Sequence, residues 1–222
     1  MTASFWLLEP PRSAPRFEHR CEFERIRCPA NPSHAAAGGP IGGNFTALFR
    51  SPRLGDFNWG WLRDILISER ALRILEQNGV TGFEVKPQNV AFARRSMGTA
   101  PILFELIVTG WGGLAAPASG LRTTDFCPSC RHRVYEVAQP SRIIDPSEWD
   151  GSDLFIVWPL PGFRFCSARL ARILQENRMS GVDLVPASDI PLPPRSMLTP
   201  GPLTAHMPQA RALEIARHFD VL

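Results

Sequence analysis

Short apolar runs broken by glycine and proline dominate the chain, and two of them lead into helix-like stripes. Asp64-Ile-Leu-Ile67 ends at Ser68, whose hydroxyl suits a helix N-cap. Behind it Ala71, Leu72, Leu75 and Ile74 recur at helical spacing. Gly79 and Gly82 then stop the helix and turn the chain, Phe83-Glu-Val85 alternates as a strand, and Pro87 ends it. Phe163-Arg-Phe165 begins the same sequence of events again, with Ser167 as cap, Leu170, Ile173 and Leu174 as stripe, Gly181 as turn and Val182-Asp-Leu184 as strand. Between them Ile102–Val108 reads as a strand, Gly110-Trp-Gly-Gly113 as a bend, and Leu121–Val137 as a hairpin through Cys127. Pro191 to Pro202 reads as an irregular tether, and Pro208 opens a last helix through about His218, with Ile215, Ala216 and Phe219 inward.

The recurrence is an internal repeat. Residues 68–87 align with 167–186 without a gap at an offset of 99, with eight identities in twenty positions. Trp59 and Trp158 fall at the same offset, which predicts an aromatic packed beneath each helix. The pattern specifies an α+β fold: two similar strand–helix–strand units on a mixed or antiparallel sheet, with a cysteine-knuckle insertion and a C-terminal helix. We divide the chain into an N-terminal extension over 1–54, a duplicated core over 55–190 and a proline-rich tether with helix over 191–222.

Composition narrows the class. Twenty-two prolines in 222 residues is roughly double the usual share, which favours extended loops over long helices. A net charge of +3 is mild, and Glu18, Glu22 and Glu24 interleave with the N-terminal arginines, so that stretch reads as a solvated face. The N-terminus has no basic lead before its short apolar run, and Glu105 interrupts the best apolar run of the chain. Five cysteines without an export signal predict reduced thiols or a metal in the cytoplasm.

Cys127-Pro-Ser-Cys130 is the sharpest chemical motif. Two thiolates three apart on a tight knuckle grip one tetrahedral zinc, and a closed site needs four ligands. The other donors are Cys21, Cys28, His34, His132 and Cys166. Cys28-Pro-Ala-Asn-Pro-Ser-His34 looks most like the second half-site, with the same Cys-Pro start. The candidate metal ligands are therefore Cys28, His34, Cys127 and Cys130, with free thiols as the other reading. A thioredoxin-type redox pair needs a helix N-terminus at its nucleophile, whereas Arg131–Val137 reads as a strand.

Catalytic signatures fail in turn. The chain has no Gly-x-Ser-x-Gly elbow and no His-Glu-x-x-His, and Gly38–Asn44 lacks the Lys-Ser/Thr of a phosphate loop. No enzyme activity is expected. The loop Asp145-Pro-Ser-Glu148-Trp149-Asp150-Gly-Ser-Asp153 sets four carboxylates around a tryptophan. Acidic groups speed encounter and a tryptophan anchors an interface, so this loop is the candidate partner-binding surface. The bland reading is a solvated turn with Asp150-Gly151 at its tip.

These segments together resemble a known family. Gly55-Asp-Phe57, Ser68-Glu-Arg-Ala71, Gly79-Val-Thr-Gly82-Phe, Val108-Thr-Gly-Trp-Gly-Gly113, Cys127-Pro-Ser-Cys130 and Asp150 through Pro161 are similar to the double-CXXCG motif proteins. That set of myxobacterial paralogues is described as immunity proteins for polymorphic toxins. The resemblance spans most of 55–190 and implies a protein that neutralises a cognate protein toxin by binding and occluding it, with a zinc site from two CxxCG motifs. Here the second motif has Arg131 in place of glycine, and the first is Cys28-Pro-Ala-Asn31. The competing expectation is a zinc-knuckle nucleic-acid or regulatory binding module on Cys28, His34, Cys127 and Cys130.

Overall fold

The two serines at the head of the repeat do cap helices. In the computed structural model, which describes residues 4–34, 36–40, 45–61, 64–194 and 197–221, the Ser68 and Ser167 hydroxyls accept the Ala71 and Leu170 N–H groups. They open α1 (Glu69–Gln77) and α2 (Ala168–Glu176), each nine residues long. Helices that short are marginal alone in water, so packing holds them. α1 buries Ala71 and Leu75; α2 buries Leu170, Ala171, Ile173 and Leu174. Each fully buried leucine or isoleucine contributes about 1.5–3 kcal/mol relative to exposure.

In the first half β1 (Phe5–Glu9), β2 (Arg16–Arg20), β3 (Phe23–Ile26), β4 (Ala36–Pro40), β5 (Thr46–Phe49), β6 (Phe57–Gly60) and β7 (Ile65–Ser68) precede α1, and β8 (Phe83–Phe92) follows it. In the second half β9 (Leu103–Val108), β10 (Gly110–Leu114), β11 (Arg122–Phe126), β12 (Arg133–Glu136), β13 (Leu154–Trp158) and β14 (Arg164–Ser167) precede α2, and β15 (Asp183–Pro186) follows it. A final helix, α3 (Gln209–Ala216), starts after Pro208 and buries Ala212 and Ile215.

The strands form two main sheets, where the sequence suggested one. One is open, in the order β10-β13-β14-β1-β15; the other closes as a barrel, β2-β5-β8-β9-β7-β6. The two orders match strand for strand, because β10-β13-β14-β1-β15 is the counterpart of β2-β6-β7-β9-β8. Both open with a parallel pair, β10 with β13 and β2 with β6, and continue antiparallel. The barrel adds β5, which joins β8 to β2.

The duplication is therefore longer than the twenty-residue echo, and it is crossed. β1 begins the first half yet lies between β14 and β15 of the second; β9 begins the second half yet lies between β7 and β8 of the first. Phe5 stands opposite Ser167 as Leu103 stands opposite Ser68. Residues 1–54, expected as an extension, thus supply β1, β2 and β5 to the two core sheets. The largest apolar core joins both halves, with Phe57, Trp59, Ala71 and Leu75 against Leu154, Ile156, Leu170 and Leu174.

Several local expectations shift. β8 runs through Pro87 to Phe92, because β5 joins its other side only from Asn89, so the missing Pro87 N–H leaves no ladder bond unmade there. Gly110–Leu114 is a strand and not a bend. A Cβ on Gly110 would lie 2.1 Å from the Leu154 carbonyl oxygen, so the glycine permits close approach to β13. Trp59 and Trp158 are not counterparts. Phe57 pairs with Ile67 as Leu154 pairs with Cys166, so the second hairpin is two residues longer and Trp59 matches Ile156. The glycine-rich segment is part strand, since Gly38–Pro40 belong to β4; positions 41–44 lie outside the described residues.

Two buried carboxylates fasten the halves together. Asp153 accepts from the Thr81 N–H at 3.0 Å and Thr81 hydroxyl, the Ser167 hydroxyl at 2.8 Å and the Arg169 guanidinium. Asp56 mirrors it, with the Ser180 N–H and hydroxyl, the Ser68 hydroxyl and Arg70. Each aspartate sits beside the cap of its own helix and reaches the turn after the other. Burial, the largest single influence, pushes both carboxyls up, but the N–H, hydroxyl and guanidinium donors together outweigh it and hold both below the ordinary range.

Candidate metal centre

The crossed architecture brings the two cysteine segments face to face. β11 and β12 form the hairpin that carries Cys127-Pro-Ser-Cys130, and β3 and β4 flank Cys28 through His34 in the corresponding place. Cys28 and Cys127 are 99 apart in sequence, the interval of the repeat, and their Sγ atoms lie 3.7 Å apart. By the same offset Asn31 stands where Cys130 stands in the other knuckle. The donor missing at position 31 is made up three residues later: His34 Nδ1 lies 3.8 Å from the Cys130 Sγ.

One ligand atom each from Cys28, His34, Cys127 and Cys130 all fall within 4.8 Å of one another. Metal–sulfur bonds of about 2.3 Å at tetrahedral angles put ligand atoms ~3.8 Å apart. The observed 3.7 and 3.8 Å separations match that edge. Three sulfurs and one imidazole are a soft donor set of the kind that closes a structural site. The four residues expected from sequence to ligate a metal are thus the four that converge.

The surroundings fix the ligands. The Asn31 N–H donates to Cys28 Sγ at 3.3 Å, and the Asn31 amide lies 3.0 Å from His34 Nε2, which sets the rotation of the ring. His132 stacks on His34 with centroids 4.5 Å apart. The Cys127 N–H donates to the His132 carbonyl oxygen and closes the knuckle. The Cys130 N–H lowers the Cys127 thiol most, against burial, and with help from the Ser129 N–H brings it to about 6. The Cys130 thiol is lowered by the His132 N–H, but burial and the adjacent Cys28 and Cys127 sulfurs together leave it raised. Of these two thiols, Cys127 is the more readily ionised.

The remaining donors stand apart from this cluster. Cys166 is buried in the core shared by both halves, where burial pushes its thiol far up. Cys21 packs beside the barrel core, its thiol raised by burial and by Asp64.

The acidic loop is employed within the fold. Asp153 is 5% exposed and serves as the fastener described above. Asp150 accepts from the Trp111 N–H at 2.9 Å and the Ser152 N–H at 3.0 Å, and it pairs with Arg211. Trp149 is half-buried, edge-on to Phe5, and its indole N–H donates to the Ser152 carbonyl oxygen. Asp145 accepts from the Ser147 N–H and hydroxyl within its own turn, which holds its carboxyl low. Of the loop's acids only Glu148 is exposed with a side chain that makes no hydrogen bond or ion pair. The loop does not present the exposed tryptophan anchor that its sequence suggested.

What sequence reading missed is the pair Asp56 and Asp153. Both lie in segments of the family resemblance, Asp153 in the acidic loop as well, but only the crossed topology gives each of them a partner in the other half. No helix among the described residues is long and apolar enough to cross a membrane. No protein-family model matches the chain, and no curated protein matches it at a significant level.

Proposed function

We propose that this chain is an immunity protein: it binds a cognate protein toxin stoichiometrically and occludes it, with no catalysis of its own, and works in the cytoplasm. The observation that supports this most is the meeting of two Cys-Pro knuckles, one from each half, at one cluster. That is the arrangement a double-CxxC protein requires, and the family resemblance was drawn from segments elsewhere in the chain as well. In this reading the cluster is a structural zinc site, which binds the two halves and leaves the outer surface for the toxin. Co-expression with the products of the adjacent genes tests the function: a stable 1:1 complex with one that is toxic alone, and restored growth, are expected, and neither appearing refutes it.

The metal is tested separately. Protein purified without chelator should carry one zinc per chain, and Cys127→Ser should lose it. Cobalt substitution should give the charge-transfer and d–d bands of a tetrahedral site with three sulfurs. Substoichiometric zinc unchanged by Cys127→Ser would remove the metal from the reading.

A nucleic-acid module is favoured by one observation, the gathering of Arg131, Arg133, Arg217 and His218 near the knuckle. Binding to a generic duplex that weakens steeply with salt would support it; the immunity reading expects none.

A further inference from the structure

The four converging side chains do not share one environment. Cys28 and Cys127 are buried, at 5% and 7% exposure, whereas His34 and Cys130 are half-buried. The latter two stand in the wall of a cavity of about 300 Å³. Tyr135, Trp158, Pro200, Pro202 and Val221 make much of the rest of that wall apolar. The cluster therefore has a closed side and an open one, and the sulfur on the open side is Cys130. A small neutral solute enters an apolar space more readily than an ion, because it has less hydration to give up. Hydrogen peroxide is such a solute, little larger than water.

Behind Cys130 stand the sulfurs of Cys28 and Cys127, all within 4.8 Å of one another. A thiol oxidised alone stops at sulfenic acid or goes on to irreversible acids, whereas one with a second thiol at hand condenses to a disulfide. Both neighbours are near enough, and the course of the chain decides between them. Cys127 and Cys130 sit three apart on one knuckle, closed by the Cys127 N–H to the His132 carbonyl oxygen. Their sulfurs meet by side-chain rotation within that turn. Cys28 lies in the other half, between β3 and β4, and its Sγ accepts the Asn31 N–H at 3.3 Å. Joining Cys130 to Cys28 requires one knuckle to move against the other.

We propose that Cys130 is a site of oxidation by hydroperoxides, with Cys127 as its resolving thiol. The Cys130 sulfur attacks one peroxide oxygen, the O–O bond breaks, and hydroxide leaves with sulfenic acid formed on Cys130. The Cys127 sulfur then displaces hydroxide from that acid, and an S–S bond forms. Two electrons pass from sulfur to peroxide, and with the two thiol protons its oxygens leave as two waters. The disulfide takes away half of a four-ligand set, so the metal is released and the clasp between the halves opens. The release of metal rests on the metal reading above; the disulfide does not, and neither depends on a toxin.

The whole chain is treated with hydrogen peroxide, both as purified and after stripping with a chelator, then alkylated and mapped by mass spectrometry. A Cys127–Cys130 disulfide, with Cys28 alkylated as a free thiol, is expected in both samples. Zinc in the first sample should be released in step with it, as read by a colorimetric chelator. Cys127→Ser should accumulate sulfenic acid on Cys130, trapped as a dimedone adduct; the mapping of the unaltered chain stands whether or not this variant folds. Pro202→Trp crowds the cavity from an exposed position and should slow the oxidation about threefold or more at unchanged metal content. A disulfide that includes Cys28, acids on Cys130 without a disulfide, or no reaction at Cys130 in the stripped sample overturns the proposal. The expected disulfide in a protein that carries no zinc as purified removes the metal reading and upholds this one.

Discussion

The two halves of the molecule are alike at the aspartates that fasten them and unlike at the knuckles and in the closure of their sheets. Asp56 and Asp153 are held by the same kinds of donor in the same places, and Gly82 and Gly181 each lie close against a carbonyl oxygen of the other half. The knuckles diverge, Cys28…His34 against Cys127…Cys130, and so do the sheets, one closed by β5 and one open. Divergence within one chain sorts constraint from freedom without any other sequence. Positions at the two aspartate fasteners have kept their chemistry, and positions in the two knuckles have been reworked.

The strongest way to break the comparison is at the two glycines. A Cβ on Gly82 would lie 2.0 Å from the Leu154 carbonyl oxygen, and one on Gly181 2.0 Å from that of Phe57, both at positive φ. Backbone cannot yield as a side chain can. Gly82→Ala and Gly181→Ala should each cost about 3 kcal/mol or more by urea unfolding. A marked difference between them would show that the halves are not mechanically equivalent.

Next come the carboxylates. Asp153→Asn and Asp56→Asn each leave an arginine without its buried anion. With both arginines about half exposed, we expect about 2 kcal/mol for each. The folded carboxyls are held below the ordinary value, so their contribution is full above the unfolded pKa of about 4 and is lost as pH falls through the folded one. Either variant should flatten the acid limb of a stability–pH curve.

A smaller effect separates the two crossed strands. Glu105 on β9 occupies the place of Leu7 on β1, and burial first, then Asp64, raises its carboxyl. A raised acid contributes stability below its unfolded pKa and loses it as pH rises through the folded one. Glu105→Leu should therefore gain about 1 kcal/mol at neutral pH and little near pH 4. The least effect is expected at the end of the helices, where Gly79 and Arg178 share a left-handed conformation. Nothing lies within 4 Å of a Cβ at Gly79. Gly79→Ala should cost, and Arg178→Gly should gain, about 0.5–1 kcal/mol.

Much of this was legible in the chain, for identifiable reasons. The helices were legible because capping and amphipathic spacing are local, and both serines do what their positions require. The convergence of Cys28, His34, Cys127 and Cys130 was legible because thiol and imidazole are few and the two Cys-Pro starts repeat. The place of β1 was not, because strand pairing across more than a hundred residues leaves no local mark. The equivalence of Trp59 and Trp158 misled because a fixed offset holds only until a hairpin changes length. The acidic loop misled because carboxylates look alike in sequence, whether they meet solvent or the N–H groups of a distant turn.

The place of β1 also bears on how the protein is made. Phe5, Leu7 and Leu8 leave the ribosome well before the strands that cover them, the second of which ends at Pro186. At about 5–20 residues per second, translation leaves that apolar edge without its neighbours for roughly ten seconds or more. Until β14 and β15 are made, β1 has neither of its neighbours, and the arrival of β15 completes its pairing.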